Sequence, residues 1–344
     1  MSLDKNLFTN YWHLICHKNE LLNDGDFLRF DTPIGDVVLF NDLGNIIAFD
    51  NKCPHRGAKF FKEDSGNQIA SCPYHRWAYR NSKVIVPDKH RFIGCEIEKV
   101  ELNKYKIEWC GEFLFLSVTP LSTLNKQLGG LVKTLESISF SINKRHNLNK
   151  YNFQSYWAIS VENALESYHT PVIHSKTLQT LSPDEYSDSF DGINSVIYAS
   201  IGNLKIKKQL TYLRKFFDLQ FQYEGYLSIY MFPFTMLSST FGYSYSLQNF
   251  FPSASNKNET KFTSRLLTSK LSSEKYSQIL ESFFESTAEI NKKVFEEDHE
   301  VCQLIPYDSW SMEPLKYASE LEAKIVHFRQ MCRESIKFTE KNHV

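Results

Sequence analysis

Short apolar runs separated by turn residues dominate the first 120 positions of the chain. β-Branched and aromatic residues are frequent in these runs, and Gly25, residues 33–35 and residues 42–44 interrupt them as turns. The pattern predicts a small antiparallel β domain over residues 1–120. Its strands are predicted at Phe27–Phe30, Asp36–Phe40, Asn45–Phe49, Lys83–Val86, Lys104–Trp109 and Glu112–Val118.

The spacing of apolar residues becomes helical after residue 150. Ser160 is a candidate N-cap, and an apolar face follows it at Val161, Ala164, Leu165 and Tyr168. The opposite face aligns Glu162, Glu166 and His169. This segment therefore predicts an amphipathic helix that carries acidic and imidazole groups on its polar side.

The remaining sequence alternates between strand and helix patterns. Residues 190–270 predict an antiparallel sheet centred on Tyr226–Phe234 and Tyr243–Pro252. A long helix is predicted from Ser272 or Ser273 to the acidic run that ends at Asp298, and a closing helix over Leu321–Ile336. We therefore predict an α+β chain with a β domain at 1–120, a connecting segment at 121–150 and a second domain at 151–344.

Composition excludes several classes of partner. The 344 residues carry a formal net charge of −1, which provides no strong field for nucleic acid or a membrane surface. The first residues lack an apolar signal-peptide core, and no apolar run approaches the length of about 18 residues that a spanning helix needs. The seven cysteines are scattered, as expected of reduced thiols, so we predict a cytoplasmic protein.

Two short cysteine–histidine motifs carry the first chemical signal. Cys53-x-His55 is followed after 16 residues by Cys72-x-x-His75. Two thiolates and two imidazoles are the ligands of a Rieske [2Fe–2S] centre. The same residue types can bind zinc, but zinc fingers group their cysteines together and their histidines together, whereas here the two types alternate. The motifs therefore favour an iron–sulfur cluster.

A second candidate metal site lies further along the chain. His169 and His174 are five residues apart, about 140° around an ideal helix, so they need a bend to converge. Pro171 lies between them and can provide that bend. Two histidines and one carboxylate form the facial triad of non-haem Fe(II) oxygenases. The apolar stripe of the long helix places Glu297 and Asp298 equally near its edge and does not choose between them.

The motif pair CPHRG…CPYHRW resembles the cluster-binding sequence of the oxygenase (alpha) component of Rieske non-haem iron oxygenases. It differs from respiratory Rieske proteins, which carry an additional cysteine in each loop where this chain has Ala58 and Tyr74. The resemblance extends over nearly the whole chain. One departure is Arg76, because the family usually has glycine at that position.

The resemblance implies a role for each candidate residue. It implies that Cys53, His55, Cys72 and His75 bind the [2Fe–2S] cluster. The D-x-Y-H-x-x-x-x-H pattern of the family is matched at Tyr168, His169 and His174, and an E-D pair at Glu297-Asp298. The implied ligands of a mononuclear Fe(II) are thus His169, His174 and Asp298. Glu166 stands where most members have the aspartate that links cluster and iron in neighbouring subunits, and carnitine-type monooxygenases use glutamate there.

The resemblance also implies the architecture of the two domains. An all-β Rieske domain precedes a helix-grip-like antiparallel sheet, whose helices hold the iron. In the family, some side chains of that sheet line the substrate pocket. Candidates here are Met231, Phe232, Phe234 and Met236.

The implied function is hydroxylation or oxidative demethylation of a small organic molecule, with O2 as co-substrate. Dihydroxylation of an aromatic ring is the alternative within the family, and an electron-transfer Rieske protein is the alternative from another class. The chain lacks a G-x-G-x-x-G fingerprint, so electrons are expected from a separate NAD(P)H-dependent reductase, with or without a ferredoxin. The family further implies a homotrimer.

Overall fold

Two seven-stranded antiparallel sheets organise the chain in the computed structural model, which describes residues 2–341. The first sheet lies within the first 120 residues and the second within the following 150. Helices precede the first sheet, connect the two sheets and cover the second. The predicted α+β class is therefore confirmed.

The first sheet has the strand order β1-β9-β8-β4-β3-β2-β5. Leu43 and Gly44 both adopt positive φ angles, of 56° and 89°, as a two-residue turn between twisted antiparallel strands requires. A separate hairpin, β6–β7, follows the second cysteine motif. The strands are β1 His13–His17, β2 Asp26–Thr32, β3 Gly35–Asp42, β4 Asn45–Asp50, β5 Ser65–Asn67, β6 Ala78–Arg80, β7 Lys83–Ile85, β8 Lys104–Cys110 and β9 Phe113–Ser117.

Helix α1 (Leu3–Asn10) precedes the first sheet, and α2 (Leu124–Leu128) and α3 (Leu131–Ser141) connect the two sheets. Residues 142–150 of the predicted connecting segment already belong to the first strand of the second sheet. The domain boundaries themselves stay predictions.

The second sheet has the order β10-β16-β15-β14-β13-β12-β11. Helix α6 (Leu204–Leu213) interrupts it after β12, where the sequence had predicted strands alone. Its ten residues form few core contacts, since none of them is fully buried. The strands are β10 Ile142–Phe153, β11 Pro183–Asp191, β12 Asn194–Ile201, β13 Tyr226–Met231, β14 Thr235–Thr240, β15 Ser244–Pro252 and β16 Thr260–Ser269.

Four further helices accompany this sheet: α4 Trp157–Leu165, α5 Thr170–Ile173, α7 Ser277–Cys302 and α8 Ala323–Lys341. Helix α4 begins three residues before Ser160, so the prediction of Ser160 as its N-cap was wrong. Ser160 is instead buried and lies 2.6 Å from the hydroxyl of Ser155. The helix also ends before His169, so its predicted polar face is not helical at that end.

A buried charge network joins the two sheets. The guanidinium of Arg265 on β16 is fully buried and lies 3.8 Å from the carboxylate of Glu20, which follows β1 and is also fully buried. Arg265 donates to the Asn249 side chain (2.6 Å) and to the Ile15 carbonyl. Arg145 on β10 approaches Glu20 to 3.3 Å. The first sheet is thus bound to the second by compensated charges as well as by apolar packing.

The core across this junction is apolar. Residues from both sheets share one cluster with α1, α4, α7 and α8. Trp12 and His13, where β1 begins, are 2% and 1% exposed and belong to the interior. Among residues 2–341, no helix combines the length and apolarity needed to cross a membrane.

Candidate metal centres

The two cysteine–histidine loops have the same backbone hydrogen-bond pattern. In the first, the N–H of Cys53 donates to the Ala58 carbonyl (2.8 Å) and the N–H of Gly57 donates to the Cys53 carbonyl (2.9 Å). In the second, the N–H of Cys72 donates to the Trp77 carbonyl (2.7 Å). Each loop is therefore a tight turn that begins at its cysteine, and the histidine follows two residues later in the first loop and three residues later in the second.

Arg76 occupies the position in the second loop that Gly57 occupies in the first. Its N–H donates to the Cys72 carbonyl at 3.0 Å, and its φ angle is 61°, close to the 76° of Gly57. This left-handed conformation favours glycine. It explains physically why glycine is the usual residue there, and Arg76 adopts it with its side chain exposed.

The four predicted cluster ligands lie together at one end of the first sheet. The ring of His55 stacks on Trp77, with centroids 4.6 Å apart, and lies at 4.6 Å from the ring of His75. Nδ1 of His55 is buried and has no hydrogen-bond partner among the described residues. A buried ring nitrogen without a partner suits a metal ligand, so this site fits a cluster.

The two cysteines of these loops are buried, and His75 is exposed. Burial, together with the neighbouring thiol of Cys72, raises the pKa of Cys53. Cysteine binds metal as the thiolate, so a cluster would reverse this preference for the neutral form. The exposed His75 is the cluster ligand closest to solvent.

The second predicted site converges around the short helix α5. His169 immediately precedes this helix and His174 immediately follows it, with Pro171 in its first turn. The Nε2 atoms of the two rings lie 3.1 Å apart. Oδ1 of Asp298, on α7, lies 3.0 Å from Nε2 of His174 and 3.5 Å from Nε2 of His169. Three potential ligand atoms therefore face one point.

A carboxylate bonds to the Nδ1 atom of each imidazole, on the side of the ring away from the Nε2 atoms. Nδ1 of His169 bonds to Glu166, whose other oxygen accepts the backbone N–H of His169 (3.0 Å). Nδ1 of His174 bonds to Glu297 at 2.7 Å. Histidines that ligate metals commonly donate their second nitrogen in this way, which directs the free nitrogen at the metal.

The structure therefore gives different positions to the two acids that the helical stripe could not separate. Asp298 faces the Nε2 atoms, and its Oδ1 also accepts from the Asn163 amide at 2.7 Å. Glu297 lies behind His174 and accepts from the Thr177 hydroxyl at 2.7 Å. Burial disfavours the charged imidazole, but the carboxylates of Asp298 and Glu297, which accept hydrogen bonds from the ring, outweigh burial and raise the pKa of His174. A cation at this point is thus electrostatically favoured.

A cavity of about 110 Å³ opens beside these three ligands. His169, His174 and Asp298 lie on its wall. Apolar lining comes from Leu165, Leu181, Ile197, Met236 and Phe295. Polar lining comes from Tyr186, Tyr226, Ser228, Gln248 and Lys324.

Of the four predicted pocket residues, only Met236 lines this cavity. Tyr226 and Ser228 point into it, so the alternation of a strand directs Met231 to the opposite face, where it packs in a separate core. Phe232 and Phe234 lie in the main core around Phe328 and also do not line the cavity. The pocket is consequently less aromatic and more polar than predicted.

The sequence interpretation did not identify Lys324 as a pocket residue. Helix α8 had been assigned no chemistry, yet Lys324 in its first turn lines the cavity and is 2% exposed. A signal was present, because Lys324 falls on the same stripe as the buried Phe328 and Met331, at i+4 and i+7. A cation within an apolar stripe is unusual enough to mark a specific environment.

Comparison with known families agrees with this arrangement. Residues 11–91 match the Rieske [2Fe-2S] domain. Residues 143–337, more than half of the chain, match the ring hydroxylating alpha subunit catalytic domain. The chain belongs to the ring-hydroxylating alpha subunit family. The resemblance read from the CPHRG…CPYHRW motifs is confirmed, and the family carries both a Rieske cluster and a mononuclear iron.

Several members of this family have related sequences. The anthranilate 1,2-dioxygenase large subunit of Acinetobacter baylyi is 26% identical over 57% of this chain and 45% of its own length. The carnitine monooxygenase oxygenase subunit of Escherichia coli K12 is 26% identical over 55% of this chain and 52% of its own length. The chain thus spans about half the length of these relatives.

Solved structures of family members have the same fold. The quaternary ammonium Rieske monooxygenase CntA in complex with L-carnitine superimposes with a TM-score of 0.73 at 17% identity, covering 96% of this chain and 90% of that chain. Naphthalene 1,2-dioxygenase from Rhodococcus sp. bound to indole gives a TM-score of 0.72 at 15% identity, with the same coverage.

Proposed function

We propose that this chain is the terminal oxygenase component of a multicomponent system. It uses O2 and externally supplied electrons to hydroxylate, or oxidatively demethylate, a small organic substrate. The observation that carries the proposal is the convergence of His169, His174 and Asp298 on one point at the wall of a cavity, in a chain that also carries the Rieske loops.

Each proposed ligand set corresponds to a group that the family uses. Cys53, His55, Cys72 and His75 would hold the [2Fe–2S] cluster, and His169, His174 and Asp298 would hold Fe(II). When bound, the cluster supplies electrons and the iron supplies open coordination positions for O2 chemistry. Glu166 and Glu297 orient the two imidazoles, while the apolar part of the lining keeps water from the reacting centre.

We also propose that Glu166 links the iron site to the cluster of a neighbouring subunit in a homotrimer. Its carboxylate already contacts His169, and its side chain is 11% exposed, so one edge is accessible to a second chain. Tyr168, two residues further on, is 64% exposed. The exposed His75 provides the complementary surface on the Rieske domain.

The remaining partners and the location are part of the same proposal. Electrons are expected from a separate reductase, with or without a ferredoxin. None of the seven cysteines, all of which lie among the described residues, forms a disulfide, which supports a reducing, cytoplasmic location.

The proposed monooxygenation has two alternatives, dihydroxylation and electron transfer without oxygenation. Dihydroxylation of an aromatic ring is a candidate because the anthranilate dioxygenase subunit is among the relatives. Monooxygenation is favoured because a glutamate stands at position 166 and because the carnitine enzyme is a relative over a similar length. An electron carrier without oxygenase activity is disfavoured, since it would not need the triad of His169, His174 and Asp298.

Metal analysis combined with single turnover tests the proposal. We expect three irons and two acid-labile sulfides per chain, and product formation when pre-reduced protein meets O2 and a panel of quaternary ammonium compounds, methoxy-aromatics and plain aromatics. Asp298→Ala should retain the Rieske spectrum and lose one iron and turnover. Glu296→Ala, at an exposed position two residues earlier, is the matched control. Two irons per chain in the wild type, or turnover by Asp298→Ala, would contradict the assignment.

A further inference from the structure

We propose that Lys324 is the anchor for an anionic group of the substrate, and that the pocket therefore accepts small organic acids. A carboxylate would neutralise the charge of this ammonium and accept its hydrogen bonds. This inference deepens the proposed function, on which it rests, by giving the substrate a chemical class.

The first observation is the position of the lysine. Lys324 is 2% exposed, yet it lines the same cavity as His169, His174 and Asp298. It is the only lysine or arginine on that wall within the described residues. Its charged group is therefore directed towards the space that the substrate occupies rather than towards bulk water.

The second observation is that its ammonium lacks a partner. Within residues 2–341, Lys324 makes no side-chain hydrogen bond and no ion pair within 4.0 Å. Two carboxylates, those of Asp188 and Glu166, act on it from a greater distance. Glu166 already accepts hydrogen bonds from His169 at both of its oxygens.

Burying an ammonium without a partner is strongly unfavourable. Burial lowers the pKa of Lys324 to about 8, against the opposing influence of Asp188 and Glu166. The lysine also lies in the first turn of α8, where the helix dipole disfavours a cation. An anion in the cavity would compensate both penalties.

The remaining lining agrees with an oxygen-rich ligand. Tyr226, Ser228 and Gln248 supply neutral hydrogen-bonding groups from neighbouring strands. The cavity of about 110 Å³ is of the same order as an engineered cavity of about 150 Å³ that accommodates benzene, so its size is that of a small organic molecule. The apolar wall at Met236 and Phe295 can contact its hydrocarbon part.

A purely structural role for Lys324 would require an internal partner. Asp188 on β11 is the candidate, because one of its oxygens is buried without a partner. If the lysine only compensated the charge of Asp188, substitution of either residue would lower the free energy of unfolding. Neither substitution would change the affinity for acids relative to neutral molecules. Asp188→Asn is therefore the matched control.

The test is ligand binding to the iron-loaded, cluster-containing protein without O2, measured by isothermal titration calorimetry. Two pairs of probes differ mainly in the carboxylate, benzoate against benzamide and butyrate against butyramide. We expect at least one acid to bind about 10- to 100-fold more tightly than its neutral counterpart, because a charge-assisted hydrogen bond forms in a largely desolvated site.

The variants Lys324→Met and Lys324→Gln should reduce the affinity for that acid to the level of its neutral counterpart and leave the neutral counterpart unchanged. Asp188→Asn should retain the preference for the acid. The Rieske spectrum and the iron content verify that each variant is folded.

Equal or absent binding of all four probes by the wild type would overturn the inference, as would a preference for the acid that survives both substitutions at Lys324. These results do not depend on turnover, so the inference can fail while three irons and oxygenase activity stand. If only two irons were found, the proposed function would fail instead.

Discussion

The carboxylate of Glu297 offers a graded test of how the iron site is built. It accepts hydrogen bonds of 2.7 Å from both Nδ1 of His174 and the hydroxyl of Thr177. Removing a partner of this kind lowers metal affinity by about 10- to 100-fold. The Glu297 side chain is 27% exposed, and water can replace part of its role. We therefore expect Glu297→Leu to lose about 10- to 30-fold in Fe(II) affinity, or roughly 1.4–2 kcal/mol.

Two related variants complete the series. Glu297→Gln retains an oxygen acceptor for His174 and should lose less than tenfold, because the imidazole keeps its orientation but not the charge. Thr177→Val removes only the hydrogen bond that holds Glu297, for which we expect about a threefold loss.

The assay is dialysis against a series of chelator concentrations, followed by iron analysis with the Rieske absorbance as the internal standard for intact protein. Glu296→Ala is the control on the same helix. Equal iron retention by Glu297→Leu and the wild type would refute the orienting role. A complete loss of iron, equal to that of Asp298→Ala, would show instead that Glu297 is itself a ligand.

Three further predictions concern electron transfer, the junction and pH. Glu166→Gln should leave both metals bound yet slow oxidation of the cluster in single-turnover stopped flow, and an unchanged rate would exclude the bridge. Arg265→Met leaves the buried carboxylate of Glu20 poorly compensated, which should lower the free energy of unfolding by about 3 kcal/mol. With an unfolding entropy of about 2.1 cal/mol/K per residue over 344 residues, this loss corresponds to a fall of about 4 °C in the melting temperature. Adding Glu20→Gln should recover part of that loss, and a purely additive further loss would count against the ion pair. Burial lowers the pKa of His13 from its ordinary value of 6.5 to about 4, so on acidification this imidazole is protonated in the unfolded chain before it is protonated in the folded one. The free energy of unfolding should therefore fall below pH 6.5, by about 1.4 kcal/mol at pH 5.5. Urea titrations at pH 7 and 5.5 should show that His13→Phe lacks this decrease.

The cluster site could be predicted from the sequence because its four residues belong to two short loops. Each loop is a run of five or six consecutive residues, so its cysteine, proline, histidine and turn residue can be recognised together in the sequence. The left-handed conformation of Arg76 lies within the same local range, but nothing in the letters alone marks an arginine as bearing it. The family resemblance marked the position as unusual, and the structure shows the backbone conformation that accounts for it.

The iron site was only partly predictable, because its geometry depends on tertiary contacts. Glu297 and Asp298 are adjacent on α7, about 100° apart around the helix. Which of them faces the histidines depends on the rotation of a 26-residue helix against the sheet, and an apolar stripe does not fix that rotation. The family resemblance supplied this choice, and the structure supplies its physical basis.

Three of the four predicted pocket residues do not line the cavity, for a different reason. Strand β13 and the hairpin after it are apolar on both faces, since each face packs against a core. Alternation then gives no contrast with which to assign Met231 or Phe234 to one side. The cavity-facing positions, such as Tyr226 and Ser228, look like ordinary strand residues, and Lys324 comes from a helix nearly 100 positions later.

The charge network between Glu20 and Arg265 has a consequence for the timing of electron delivery. It links the first sheet to the second within one chain and so opposes hinge motion between them. If electrons cross between neighbouring chains, the separation of donor and acceptor is set when the oligomer assembles. We then expect control over when transfer occurs to lie in the immediate surroundings of Glu166 and His169, on the scale of a single hydrogen bond.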